Sequence, residues 1–271
     1  MKNKYHYNGD ILLEGNNLYE EVGVKLIILI PWFVFAQILE EIKHFISSIL
    51  LNFIFFGGLK KILKEINKNG FIKINSYYSQ NEINFFKEII NKEIKKKSKL
   101  NNFKFEGAVK FTNIGDLDLI GKVSRDVKLW LINMFTTFKF KSPTVKYLQT
   151  KFILNHQKVL ASHMHFDTHK HEIKILVCLS DINKQNGATL FLKKSGSFKF
   201  KYFKQYLVAW LREKNIIVEN KMNLIKTEDK DLDNYEYFTG NPGDIFIFNS
   251  RYLHRATEIK KGGREILWYY F

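Results

Sequence analysis

The most informative stretch of the sequence is Ser162-His163-Met164-His165-Phe166-Asp167. Side chains two residues apart on an extended strand point to the same face, so His165 and Asp167 are expected to lie side by side. An imidazole and a carboxylate placed in this way can hold one edge of a divalent metal ion. A second imidazole would complete a set of two histidines and one carboxylate, which leaves positions open on the metal and suits non-haem Fe(II).

The C-terminal part of the chain offers both that second imidazole and a strong cation. His254 lies in Phe248-Asn249-Ser250-Arg251-Tyr252-Leu253-His254-Arg255, and Arg264 follows shortly before the apolar end of the chain. The guanidinium group presents a rigid fork of donors that matches a carboxylate. We therefore predict that His165, Asp167 and His254 are the metal ligands and catalytic residues. Arg264 is predicted to bind an organic acid.

Four further motifs surround these residues in a fixed order. They are Asn69-Gly70-Phe71-Ile72-Lys73-Ile74, then Leu179-Ser180-Asp181-Ile182 with Asn186-Gly187, then Ser195-Gly196-Ser197, and finally Asn241-Pro242-Gly243-Asp244-Ile245-Phe246-Ile247-Phe248. Their order and spacing around the H-x-D triplet resemble the Fe(II)/2-oxoglutarate oxygenases of the phytanoyl-CoA dioxygenase-like family. In Ser195-Gly196-Ser197, followed by Phe198, the serine and phenylalanine replace the proline and histidine of the family's Pro-Gly-Ser-His turn.

This resemblance covers about residues 60–271 and implies a fold. The expected fold is mainly β with flanking helices: a double-stranded β-helix, which is a jelly-roll or cupin-like barrel. A chain of 271 residues can bury one such core. We predict an oxygenase domain over 60–271 with an insertion at 199–238, a candidate for a substrate-selecting lid. Residues 1–59 form a separate apolar helical segment.

The resemblance also implies the chemistry. Iron would be held by the H-x-D pair and His254, with 2-oxoglutarate and O2 as co-substrates and Arg264 on the far carboxylate. Lys151 and Asn155 could add hydrogen bonds to 2-oxoglutarate, although surface or turn roles fit them equally well. Related halogenases lack the carboxylate that Asp167 supplies, so its presence favours hydroxylation of a C–H bond.

Several alternatives stay open at this point. A lone H-x-D triplet is a weak signal, and a histidine on an apolar strand is often a packed core residue. His163 could join His165 and Asp167 in a zinc site. The barrel could also be a catalytically inactive peripheral membrane or interaction protein. His169 and His171 are expected at a strand end or on solvent, without an assigned role.

Composition indicates the partners only broadly. The formal net charge of +16 comes mostly from lysine and favours anionic partners. No recognised nucleic-acid motif accompanies it, so nucleic acid is not expected. The preferred substrate is small or lipid-associated and anionic, such as an acyl derivative or a lipopolysaccharide sugar. The single cysteine, Cys178, excludes an intrachain disulfide and fits a reducing, cytoplasmic compartment. The sequence leaves the oligomeric state open.

The N-terminal segment contains two apolar runs, residues 26–36 and 45–59, separated by Glu40, Glu41, Lys43 and His44. Neither run reaches the roughly 18–20 uninterrupted apolar residues of a spanning helix. One interpretation is a pair of helices packed on the barrel. The other is peripheral membrane contact through residues 24–59, with aromatic side chains in lipid and lysines near head groups.

Overall fold

The computed structural model describes residues 25–53, 57–96, 103–105, 108–112, 127–138, 143–151, 164–196, 199–216, 223–225, 234–257 and 259–271. The helices are α1 (Lys25–Leu50), α2 (Gly57–Asn69), α3 (Gln80–Lys96), α4 (Val127–Thr137) and α5 (Phe203–Glu213), with 3-10 turns at Leu51–Phe53 and Phe200–Tyr202. The strands are β1 (Phe71–Ile74), β2 (Phe103–Phe105), β3 (Ala108–Thr112), β4 (Thr144–Lys151), β5 (Met164–Phe166), β6 (Ile173–Cys178), β7 (Thr189–Leu192), β8 (Asn223–Ile225), β9 (Tyr235–Phe238), β10 (Ile245–Asn249), β11 (His254–Ala256) and β12 (Gly263–Tyr270).

The described strands form two antiparallel sheets. The larger sheet has the order β1-β10-β6-β12-β4-β3-β2, and the smaller one has the order β8-β5-β11-β7-β9. Strands far apart in the sequence are neighbours in both sheets, as in a jelly roll. The prediction of a mainly β, double-stranded β-helix fold with flanking helices is confirmed.

Strand β10 shows how the sequence builds the layers. Ile245 and Ile247 point away from the smaller sheet and pack with helices α2, α3 and α4. Phe246 and Phe248 point the other way, into a core between the sheets that also contains Phe191. Because side chains alternate along a strand, the Ile-Phe-Ile-Phe repeat supplies both layers from one segment.

Helix α1 differs from the two-helix interpretation of the N-terminal segment. It is one continuous helix of 26 residues that runs through Glu40, Glu41, Lys43 and His44. Glutamate and lysine are good helix formers, so these polar residues continue the helix, and Glu40 and Glu41 bond to groups of the barrel. None of the helices in the described part of the chain combines the length and apolar character needed to cross a membrane.

The predicted insertion, 199–238, contains α5, β8 and β9. Strand β8 adds to the smaller sheet beside β5, and the ring of Tyr206 on α5 stacks on Phe166 with centroids 4.4 Å apart. The insertion therefore lies against the strand that carries His165. Its role as a lid and the boundary at residue 59 remain predictions.

Candidate metal centre

Strand pairing brings the two histidines together. Strand β11 pairs with β5 so that His254 lies directly opposite His165, and their ring centroids are 4.7 Å apart. Asp167 follows β5 immediately, with Oδ1 3.7 Å from Nε2 of His165 and Oδ2 3.0 Å from Nε2 of His254. One ligand atom from each of the three residues lies within 4.8 Å of the other two, close enough for all three to hold one metal ion.

The orientation of His254 is set by its own loop. Its Nδ1 lies 2.8 Å from the carbonyl oxygen of Tyr252. A carbonyl only accepts, so Nδ1 carries the proton and donates, which leaves the lone pair of Nε2 for a metal. Phe191 stacks on the His254 ring at 5.4 Å and Phe248 packs edge-on at 5.3 Å. These rings form an apolar wall that limits the access of water to the ligands.

A residue that the sequence reasoning missed lies beside the carboxylate. Lys174 Nζ is 2.6 Å from Asp167 Oδ2 and 4.6 Å from the centroid of the Tyr270 ring. Burial favours protonation of Asp167, but Lys174, His254 and His165 outweigh it and hold the pKa of this carboxyl well below its usual value. Burial likewise opposes the charge of Lys174, whose pKa is nevertheless raised by Asp167. A lysine inside the apolar strand Ile173–Cys178 was the available signal.

Arg264 is buried on β12, in the strand that the apolar C-terminal end of the chain forms. It shares a face of the strand with Ile266, which lies in the core between the sheets. Its Nε and Nη1 atoms are buried and have no hydrogen-bond partner among the described residues. Burial lowers the pKa of this guanidinium to about 10. A buried cation with unused donors is costly unless an anion binds it, so the residue fits the far carboxylate of 2-oxoglutarate.

The other predicted residues are placed less completely. Lys151 ends β4, where its backbone pairs with Gly263 next to Arg264. Asn155 and His163 lie outside the described residues, so the co-substrate role of Asn155 and the zinc alternative with His163 remain predictions.

Of the two positions expected for His169 and His171, solvent is wrong, because both side chains are buried in the segment between the end of β5 and the start of β6. His169 Nδ1 lies 3.1 Å from Glu213 of α5. His171 lies between Asn249 and Arg251 and stacks on His44 of α1, with centroids 4.5 Å apart. His169 thus joins the loop after Asp167 to α5, and His171 joins the same loop to α1. Strand periodicity alone does not reveal such contacts between distant segments.

The donor set agrees with the predicted metal. Two imidazoles and one carboxylate on a rigid sheet, with the remaining directions open, fit Fe(II) that must also bind 2-oxoglutarate. Zinc accepts the same donors but gives no reason for the unpaired Arg264.

Comparison with known proteins identifies the family. A model of the phytanoyl-CoA dioxygenase (PhyH) family matches residues 66–264. The chain belongs to this family. The predictions of an Fe(II)/2-oxoglutarate-dependent oxygenase, and of iron and 2-oxoglutarate as its cofactors, are thereby confirmed. No curated protein matches the sequence.

Solved structures show how this phytanoyl-CoA dioxygenase family member compares in fold. The epimerase SnoN, in complex with Fe3+, alpha ketoglutarate and nogalamycin RO, has a TM-score of 0.58 and 11% identity over 79% of this chain and 82% of its own. The carbocyclase SnoK from nogalamycin biosynthesis has a TM-score of 0.53 and 12% identity over 78% and 82%. EctD from S. alaskensis, with 2-oxoglutarate and 5-hydroxyectoine, has a TM-score of 0.53 and 12% identity over 78% and 74%. At sequence identities of 11–12%, these structures show only that the fold is shared.

Proposed function

We propose that this oxygenase holds Fe(II) through His165, Asp167 and His254 and binds the far carboxylate of 2-oxoglutarate through Arg264. Lys151 and Asn155 are proposed to add hydrogen bonds to 2-oxoglutarate. One observation carries the proposal: three ligand atoms within 4.8 Å of one another occur in the same fold as a buried arginine with unused donors.

The proposed reaction is hydroxylation of a C–H bond. Iron, 2-oxoglutarate and O2, when bound, supply the oxidising chemistry, and 2-oxoglutarate leaves as succinate and CO2. The protein fixes the ligands: the Tyr252 carbonyl orients His254, and Lys174 holds Asp167 as a carboxylate. Phe191 and Phe248 keep one side of the centre apolar. The carboxylate of Asp167 occupies the position that a halogenase leaves open, which supports hydroxylation.

The substrate proposed is a small or lipid-associated anionic molecule, such as an acyl derivative or a lipopolysaccharide sugar. The net charge of +16 supports an anionic partner. We further propose a cytoplasmic enzyme that contacts a membrane through residues 24–59. The substrate proposal is tested by comparing the turnover of acyl substrates with that of soluble anionic substrates. Equal turnover of neutral soluble molecules would contradict it.

The iron assignment is tested by succinate formation without substrate. Protein supplied with Fe(II), 2-oxoglutarate and O2 is expected to release succinate slowly. Asp167→Ala should abolish both iron retention and succinate release, since one of the three ligands is lost. Asp181→Ala removes an exposed carboxylate between β6 and β7 and should change neither. Iron retained by Asp167→Ala would remove this residue from the metal site.

The co-substrate assignment is tested separately by Arg264→Ala. Loss of a buried charge partner typically costs about 2–5 kcal/mol, so the affinity for 2-oxoglutarate should fall by about 30- to 5,000-fold while iron content is unchanged. Normal affinity would exclude Arg264 from the site. Metal analysis of protein purified without oxygen decides iron against zinc.

A further inference from the structure

Helix α1 has the reverse of the polarity expected for a helix on a protein surface. Its buried positions include Gln37, Glu40 and Ser47, which are polar. Its outward positions carry large apolar side chains with exposed fractions of 41–70%, except Val34 at 38%. The outer face of α1 is defined here by Trp32, Phe35, Ile38, Ile42, Phe45 and Ile49, which recur every three or four residues. Over 26 residues the helix is about 39 Å long.

Bonds to the barrel prevent the helix from turning this face inward. Arg251 is fully buried, and its Nη2 donates to Glu41 at 2.7 Å and to Gln37 at 3.2 Å. At the C-terminal end, Ser47 Oγ donates to the carbonyl oxygen of Phe135 at 2.6 Å. Rotation of α1 would leave a buried guanidinium without its carboxylate, which is strongly unfavourable. The apolar face is therefore fixed outward.

Charge distinguishes between the possible occupants of this face. Both carboxylates of α1 take part in contacts toward the barrel, through Arg251 and the backbone N–H of His171. The exposed charged side chains described on α1 are Lys25 and Lys43, and Lys43 also donates to Glu40 at 2.7 Å. A second copy of the chain, also at +16, would be repelled, whereas an anionic lipid surface would be attracted.

The insertion carries a further exposed apolar side chain, Phe200, which is connected to α1 through the buried ring of Phe33. Phe33 of α1 packs edge-on against Phe203, with ring centroids 5.2 Å apart, and Phe203 contacts Phe200 at 5.6 Å. Phe200 is 83% exposed and follows the exposed Lys199. Lys199 and Phe200, just before α5, thus place a lysine next to an exposed apolar side chain, as α1 does.

We propose that the outer face of α1 docks on an anionic lipid surface, with the helix lying parallel to the membrane. Trp32 and Phe45 would sit at the boundary of head groups and acyl chains, while Lys25, Lys43 and Lys199 face lipid phosphates. This inference rests on the proposed membrane contact but not on the iron chemistry. Arg251, which bonds to α1, precedes His254 by three residues. Docking of α1 would therefore bring the side of the barrel that carries His254 near the lipid.

Vesicle flotation tests the docking surface. The full-length protein is expected to float with vesicles of phosphatidylcholine mixed with phosphatidylglycerol and to float poorly with phosphatidylcholine alone. The double variant Phe35→Gln, Phe45→Gln should bind the anionic vesicles at least about tenfold more weakly, because two large apolar groups no longer enter the lipid. Phe85→Gln changes an exposed phenylalanine on another helix, α3, where the exposed fraction is 40%, and should bind normally.

Tryptophan fluorescence gives an independent reading of orientation. Trp130, Trp210 and Trp268 are buried or half-buried, whereas Trp32 is 63% exposed. Anionic vesicles should shift the emission of the wild-type protein to the blue. Trp32→Phe should bind but lose most of that shift.

Three outcomes would overturn the proposal. These are no binding by the wild-type protein, equal binding by the double variant, and a dimer that the double variant dissociates while vesicles are ignored. The last would assign the face to a second copy of the chain. Succinate formation without lipid should be the same in the double variant and the wild type, so failure of docking and failure of the iron assignment are distinguishable.

Discussion

At the scale of single residues, the geometry of the centre depends on groups that do not belong to the ligand set. The Tyr252 carbonyl orients His254, and the Tyr252 ring lies between two glycines. A Cβ added to Gly70 would lie 2.1 Å from this ring, and one added to Gly196 would also lie 2.1 Å from it. Gly70 also has a φ of +91°, which favours glycine. The Asn-Gly-Phe and Ser-Gly-Ser motifs therefore make room for one ring near the metal centre.

Gly196→Ala should destabilise the protein because the Tyr252 ring cannot move away from the new methyl group toward Gly70. Overpacking of this kind costs about 1–3 kcal/mol. Urea denaturation measures the loss, and metal titration should show weaker binding because the Tyr252 carbonyl shifts. Gly58→Ala is the matched control, since a Cβ there meets nothing within 4 Å. Equal midpoints for both variants would contradict the packing argument.

Lys174→Met should destabilise the metal-free protein and increase its response to metal. This change removes the cation nearest to the carboxylate of Asp167, at a cost of about 2–4 kcal/mol for a group that is partly accessible. A bound divalent cation would neutralise the same carboxylate. Thermal denaturation with and without metal should therefore show a larger metal-induced rise in Tm than in the wild type. Lys92→Met, which breaks an exposed pair with Glu88, should change neither value.

At the scale of elements, α1 contacts α5 on one side of the barrel and the cluster of α2, α3 and α4 on the other. It also contacts the turn before β11. Phe33 packs with α5, Leu51 just beyond the helix lies in the cluster of α2, α3 and α4, and the middle of the helix holds Arg251. Arg251 can only donate, so Nε2 of His171 accepts its hydrogen bond and cannot also carry a proton. This junction consequently requires a neutral imidazole.

Mild acid should weaken this junction. Burial, followed by the charge of Arg251, holds the pKa of His171 well below 6.5, and burial also lowers the pKa of His44. The unfolded chain therefore binds more protons as the pH falls below 6.5, and the stability of the folded state declines. The urea concentration at the unfolding midpoint should therefore fall as the pH is lowered from 6.5 to about 5. Most carboxylates titrate only below this range. His171→Gln keeps a hydrogen-bonding side chain that does not titrate, and an equally steep decline in this variant would rule out the junction as the cause.

At the scale of the whole molecule, the sheets hold ligands from β5 and β11 on one side and Arg264 on β12 of the other sheet. The metal and 2-oxoglutarate would thus add a further link between two sheets that meet through apolar side chains and through the Lys174–Asp167 ion pair. Binding of both should stabilise the entire barrel.

Fe(II) and 2-oxoglutarate, added without oxygen at about 100 times their dissociation constants, should each raise the free energy of unfolding by about 2.7 kcal/mol. For a domain of this size the rise in Tm is about 5–10 °C per ligand. Arg264→Ala should keep the increment from metal and lose the one from 2-oxoglutarate, while Asp167→Ala should lose both. A chelator should return the wild-type protein to its metal-free Tm. Identical increments in all three proteins would contradict the proposed site.

Much of the fold was predictable because local spacing determines which side chains share a face. The Ile-Phe-Ile-Phe alternation of β10 accounts for its two buried layers. The start of α3 is equally local, since Glu82 accepts from the backbone N–H of Ser79 and Ser79 Oγ accepts from that of Glu82. The H-x-D triplet and His254 suggested a metal site, and the sheet register places them opposite each other.

Contacts between different elements were decided by the tertiary structure alone. Lys174 meets Asp167, Arg251 meets Glu41, and His171 is buried rather than exposed. The tertiary structure also decided which face of α1 packs on the barrel, since a helix with a polar and an apolar face can present either one. The sequence determined which side chains lie together on each strand or helix, because backbone periodicity is local. Only the packed molecule determined which of those faces meet, because a buried charge is tolerated only where its partner, from any part of the chain, arrives beside it.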